Sequence, residues 1–223
     1  MKTVSELVDR TGSTKLLLRD WISNSSNKVE VLSANEEVAK RVLCDLQVTT
    51  KSILGVVVYY TGGLLIDNGW LRILGSGNSR LTRNVTTWNN LNLNDKKTKI
   101  PNSLLIADDV LGGFFTINTG AFEGGKGEIF YLAPDTLEWE GLNMQYSDFL
   151  HWSCCGDVNQ FYSDLRWKGW NEDVLKVKGD QTFSLYPFLW TKVKNNGSRT
   201  KAVVSIEETW ELNLMFQKKL GTD

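Results

Sequence analysis

Two adjacent carboxylates, a glycine-rich loop ending in lysine, and one histidine beside a cysteine pair are the residues whose types could do chemistry in this chain. Asp108 and Asp109 precede Val110-Leu-Gly-Gly113. Paired carboxylates can run acid–base chemistry or bind a cation. On a strand, consecutive side chains point to opposite faces, so only one of the two can serve a given site. The plainer reading is that one of them ties down a turn, as Asx residues do, and Asp135 after Pro134 has the same standing. Gly120-Ala-Phe-Glu-Gly-Gly125-Lys126 matches the opening of the phosphate-binding GxxxxGK loop. The next residue is Gly127, where that motif needs Ser or Thr to hold magnesium. Glu128 to Leu132 then reads as a strand, whereas a phosphate loop leads into a helix N-terminus. A hairpin loop is the simpler reading. Gly75-Ser-Gly77 lacks the third glycine of a dinucleotide fingerprint.

His151 is the single histidine, which excludes zinc motifs built on two. Any Ser-His-Asp or Cys-His device must use it. Cys154 and Cys155 follow at helical spacing, so a Cys-His nucleophile is geometrically conceivable. Neither an orienting group nor an oxyanion hole is legible, and buried free cysteine is ordinary. These residues are expected to be structural. No catalytic set, no metal site and no cofactor is assigned.

The totals narrow the function classes. The 223 residues suit a single domain, with 41% hydrophobic residues, 11% aromatics and nine Trp to build a core. Charge is balanced, 25 Lys+Arg against 26 Asp+Glu, so the basic footprint of a nucleic-acid binder is missing. No stretch approaches the roughly 20 apolar residues that span a bilayer. Met1 to Arg10 has no apolar signal-peptide core. The odd set Cys44, Cys154 and Cys155 fits a reducing compartment, and a cytoplasmic location is expected. Glycosylation patterns at Asn24, Asn84 and Asn196 then carry little weight.

The elements that must position these residues follow from periodicity and punctuation. Helices are expected over Lys15–Ser23, capped at Thr14, and from a Ser33–Glu36 capping box to about Leu46. Lys28 to Leu32 alternates as a short strand. Ile53 to Tyr60 reads as a buried strand, turned by Thr61-Gly-Gly63 into Leu64–Ile66 and by Asp67-Asn-Gly69 into Trp70–Leu74. Gly75 to Ile100 is polar and reads as a long loop around Trp88. A second meander fills Leu104 to Gln145, and Ser147 opens a helix to Cys155. Further helices are expected from Asp157 to Trp167, after Trp170, and from a Ser205–Glu208 capping box to Leu220. Lys201 to Ser205 is a strand candidate, and Lys194 to Arg199 an exposed turn.

Several of these segments together resemble a bacterial family of unassigned function, DUF2625. They are Leu46–Thr50, Thr61–Gly63, Gly69–Gly77, Ala107–Phe115, Tyr131–Trp139, Tyr146–Leu150 and Tyr186–Trp190. The middle also resembles the wider SUKH superfamily, through the order of Leu105–Phe115, Glu128–Leu132 and Tyr146–Leu150. That likeness implies an α+β fold: a twisted, mainly antiparallel sheet of two β-meanders with helices packed against it. A SUKH-like core would run over about 28–155, and a helical C-terminal extension over about 156–223. It also implies protein binding, often as an immunity protein that neutralises a toxin.

The leading expectation is a non-enzymatic protein-binding module whose partner is a protein, a toxin among the candidates, with no nucleic acid and no membrane. Asp67, Trp70, Arg72, Trp88, Asp108 and Asp109 are the candidate partner-binding residues, an acidic rim beside aromatics. The alternative is a hydrolase or nucleotide-binding enzyme using Asp108, Asp109 and the Gly120–Gly127 loop.

Overall fold

The computed structural model describes residues 1–91, 97–192 and 199–221. Val4–Leu7 (α1) and Ser13–Ser23 (α2) open the chain, and the N-cap of α2 is Gly12 rather than Thr14. Val29–Ser33 (β1) leads to Glu36–Leu46 (α3). Its cap is Asn35, whose Oδ1 accepts from the amides of Glu37 and Val38 at 3.1 and 3.2 Å. Ser33, expected as the cap, instead ends the strand.

The largest departure from expectation is Ile53–Tyr60, which is a helix (α4), capped by Ser52 through the Gly55 amide at 3.1 Å. A continuous apolar run has no period that separates strand from helix. Gly55 suits the helix, since a Cβ there would lie 2.1 Å from the Thr49 carbonyl oxygen. Thr61-Gly-Gly63 is accordingly no turn but the start of Thr61–Ile66 (β2). At Gly62 a Cβ would meet the carbonyls of Gly77 and Ser33 at 2.7 Å, so only glycine lets the chains pass this closely.

The Asp67-Asn-Gly69 turn holds as read, with positive φ at each residue, and joins β2 to Leu71–Leu74 (β3). Residues 75–91 are no loose loop. They contain Val85–Trp88 (α5) and bury Leu81, Val85 and Trp88. Ser103–Asp109 (β4), Phe114–Asn118 (β5), Glu128–Leu132 (β6) and Trp139–Gln145 (β7) form the second meander as expected. Tyr146–Cys155 (α6) is capped at Gln145, two residues before the expected Ser147.

The fold class is α+β. The main sheet is seven-stranded and antiparallel, in the order β1 to β7, so the second meander, β4 to β7, continues a sheet that β1 to β3 begin. Its alternation splits neighbours between two cores. Leu64, Ile66, Ile106, Phe115 and Tyr131 face one, and Leu65, Leu74, Leu105, Phe114 and Leu132 face the other. Helices therefore cover both faces.

Beyond α6, Val158–Phe161 (α7) and Trp170–Val174 (α8) are short, and α7 stops well before Trp167. The C-terminal region is not purely helical. Gln181–Tyr186 (β8) and Thr200–Ser205 (β9) make a separate hairpin. Ile206–Leu220 (α9) follows, capped as expected by Ser205, which accepts from the Glu208 amide at 3.1 Å. Of the expected turn at Lys194–Arg199, residues 194–198 lie outside the described residues, as does Asn196.

Candidate functional site

Asp108 and Asp109 end β4 and point into different clusters, as strand alternation requires. Asp108 lies opposite Arg72 in the β3–β4 register. Arg72 Nε donates to its Oδ1 at 2.6 Å, and Arg83 Nη1 to its Oδ2 at 2.6 Å. Arg83 continues the chain of charge: Nε donates to Asp180 Oδ1 and Nη2 to the Gly179 carbonyl, each at 2.8 Å. Arg72 also donates to the carbonyls of Asp109 and Gln181. Asp180 takes the amide and hydroxyl of Thr82 on its other oxygen. Burial works to raise the Asp180 carboxyl, but the Thr82 amide and Arg83 guanidinium outweigh it and leave the group below the usual range. Burial lowers the Arg72 guanidinium.

Asp109 is held as a turn residue. Its Oδ1 accepts from the amides of Leu111 and Gly113 at 2.8 and 3.0 Å. Its Oδ2 accepts from the hydroxyls of Tyr131 at 2.8 Å and Tyr162 at 3.4 Å. Burial raises its carboxyl above the ordinary value and pushes both phenols well up.

The expected acidic rim beside aromatics is not a surface. Trp70, Arg72, Trp88, Asp108 and Asp109 are all buried, because closing the C-terminal elements over the sheet removes them from solvent. Trp70 packs edge-on to Tyr162 and Trp170. Trp88 stacks on Phe114, with Lys99 over its ring at 4.1 Å. Asp67 alone stays near solvent. It pairs with Arg166 at 2.6 Å on the wall of a cleft of about 580 Å³, shared with Asn27, Lys28, Cys155 and Asn159. The Arg166 guanidinium lies over Trp170 at 3.9 Å.

The alternative constellation is not assembled either. The β4–β5 register sets Asp108 opposite Phe114 at one end and Ser103 opposite Asn118 at the other. The Gly120–Gly127 loop leaves the Asn118 end, roughly 15 Å of strand away. Several of its amides are already engaged. Asn118 Oδ1 accepts from Gly120, Ala121 and Phe122, and Glu128 Oε2 accepts from Gly125 at 2.9 Å. A carboxylate in that position opposes phosphate. Cys154 is buried and its thiol is pushed up to about 12 by burial, which is the state of an inert cysteine. His151 is exposed and sits edge-on to Trp21. Among the described residues no group of three His, Cys, Asp or Glu could hold a metal ion.

The C-terminal hairpin presents a different surface. Thr182 pairs with Val204 and Ser184 with Ala202, so these four side chains share one face of the hairpin, the face that meets α9. Thr182 and Thr209 hydroxyls bond there at 2.5 Å. Farther out the two elements part, leaving a groove of about 290 Å³ floored by Val204, Leu212 and Met215 and rimmed by Glu208 and Glu211. Met215 remains 43% exposed, and Val203 on the opposite face of β9 remains 47% exposed.

A family described as a protein of unknown function, DUF2625, matches residues 4–209. The chain belongs to the DUF2625 family. It is 41% identical over 223 residues to the uncharacterised protein YbfG of Escherichia coli (strain K12), covering 98% of each chain. It is 39% identical over 220 residues to an uncharacterised protein of Haemophilus influenzae (strain ATCC 51907), covering 98% of this chain and 96% of that one. No solved structure matches. Among the described residues, no helix of this DUF2625 chain is long and apolar enough to cross a membrane.

Sequence reasoning missed Arg83, Asp180, Tyr131, Tyr162 and Arg166. The hint was local for Arg83 alone, a cation directly before the Asn84 cap. The others are brought together by long-range packing, which leaves no periodic trace.

Proposed function

We propose that this DUF2625 protein is a non-enzymatic protein-binding module of a reducing, cytoplasmic compartment. The observation that carries the reading is how the polar groups of the interior are used. Arg72, Arg83, Asp108 and Asp180 fasten the C-terminal hairpin to the sheet, and the fastened unit leaves Met215 exposed in a groove with Val204 and Leu212. An exposed apolar groove with a polar rim marks an interaction site. Three free cysteines accord with the compartment. The immunity-type partner implied by the SUKH resemblance is one member of the partner class.

The test is affinity capture of the tagged chain from a bacterial lysate, with native mass measurement of what remains bound. A stoichiometric protein partner is expected. A nucleotide, metal or small metabolite retained in its place would favour an enzyme and overturn the reading. The cleft beside Arg166 supports a second reading, a small polar ligand, because its volume falls in the range of ligand pockets. Quenching of tryptophan fluorescence by a metabolite panel, lost in Arg166→Met, would support it.

A further inference from the structure

The described part of β9 pairs with β8 alone, so its outer edge carries backbone groups without a strand partner. Proteins normally blunt such edges with proline, bulges or outward charge. The β9 sequence Thr-Lys-Ala-Val-Val-Ser has neither proline nor glycine, and its pairing with β8 runs without a register shift. Its one charge, Lys201, is turned away: the ammonium pairs with Asp173 at 2.6 Å and lies over Trp167 at 4.2 Å. An unblunted edge beside an apolar groove is a template for one more strand.

From this edge and groove we infer that an extended segment of another protein adds to β9, placing an apolar side chain between Val204, Leu212 and Met215 and a basic one against Glu208 and Glu211. The inference rests on the protein-binding reading. Strand addition takes its affinity from main-chain hydrogen bonds and its specificity from pockets for alternate side chains. The groove lies on the Val204 face of the hairpin, where alternate residues of an added strand would project. The charge of the occupant follows from the rim. Glu207 is neutralised by Lys99 at 2.7 Å, whereas Glu208 and Glu211 have no ion pair among the described residues. They stand on one face of α9 with Leu212 and Met215, so a lysine or arginine beside the buried apolar residue completes the site. A second copy of this chain fits poorly. Pairing β9 on β9 would bring a second acidic rim to the first and supply no free cation from the strand.

The test uses two synthetic peptides of alternating valine and threonine, one carrying lysine at two positions and the other glutamate. Binding to the full chain is followed by fluorescence anisotropy, and the contact by hydrogen exchange. The lysine peptide is expected to bind and to slow exchange at the outward amides of Lys201, Val203 and Ser205. The glutamate peptide is expected to bind at least about tenfold more weakly. The variant Glu208→Lys/Glu211→Lys changes only exposed side chains, so it should fold, and it should reverse the preference. Val203 sits in a non-hydrogen-bonded pair with Phe183, whose amide donates to the Val110 carbonyl, so the Val203 amide faces the outer edge. Val203→Pro, checked for an unchanged circular dichroism spectrum, should abolish protection of the edge. No binding of the lysine peptide at millimolar concentration, equal binding of both peptides, or protection elsewhere would overturn the inference. So would sedimentation as a dimer that Val203→Pro dissociates. A natural partner captured equally by wild type and Glu208→Lys/Glu211→Lys would overturn this site while leaving the protein-binding reading standing.

Discussion

Arg83 and Asp180 meet at 2.8 Å although 97 residues separate them along the chain. Through Arg83 the contact extends to Asp108 on β4, so one guanidinium joins the central sheet to the start of the C-terminal hairpin. Charges this deep are stable only when each is answered, and here Arg72 and Arg83 together answer both oxygens of Asp108.

Removing one member should therefore be costly. Arg83→Ala leaves Asp108 short of a partner in the interior and should lower the unfolding free energy by about 3–5 kcal/mol. Urea denaturation measures it. A loss below about 1 kcal/mol would mean that solvent screens the pair like an exposed salt bridge.

Trp88 should behave as core. It is 1% exposed and packs against Phe114 and Trp210, so Trp88→Ala should cost about 3–5 kcal/mol. If thermal unfolding barely moves while partner binding falls, the ring has been wrongly taken for an interior one.

Two carboxyls should give opposite pH dependences. Burial raises Asp109 in the folded state, so its contribution is fully present below the unfolded value of about 3.9 and is lost as pH climbs through the folded value. Asp180 is lowered by the hydrogen bonds and charge that outweigh its burial, so its contribution is present above about 3.9 and is lost as pH falls through the folded value. Urea midpoints for wild type, Asp109→Asn and Asp180→Asn between about pH 3 and 7 separate them. Relative to Asp109→Asn the wild type should decline towards the upper part of that range. Relative to Asp180→Asn it should decline towards the lower part. Parallel curves for all three proteins would contradict both assignments.

Cys154 should resist thiol reagents in the native state and react on unfolding, because burial suppresses its thiolate. Cys155, partly exposed on the cleft wall, should label first of the adjacent pair. Peptide mapping after a timed pulse distinguishes them, and fast native labelling of Cys154 would point to an activated thiol.

Lys126→Ala should change stability by no more than about 0.5 kcal/mol, since the side chain is exposed and without a role in the hairpin loop. Neither form should bind ATP or GTP in calorimetry. Saturable nucleotide binding lost in the variant would restore the phosphate-loop reading.

The features legible in the sequence are those decided within a few residues. The Ser205–Glu208 cap, the Asp67-Asn-Gly69 turn, an Asx role for one of the Asp108–Asp109 pair and the β4–β7 meander rest on local hydrogen bonds or a period of two, and both leave a mark on neighbouring letters. Ile53–Tyr60 marks the limit of that information. A short, mostly buried apolar run is compatible with either backbone, and the choice is made by what packs around it, the Thr49 carbonyl against Gly55 included. The candidate site was less legible still. Trp70, Trp88, Arg72 and Asp108 have the residue types of a binding surface, but their burial depends on chain that returns from as far away as Asp180 and Trp210. The same long-range closure leaves β9 at an edge and opens the groove beside α9. Burial is a property of the whole packed molecule, so only the tertiary structure could decide which charges hold the fold and which face a partner.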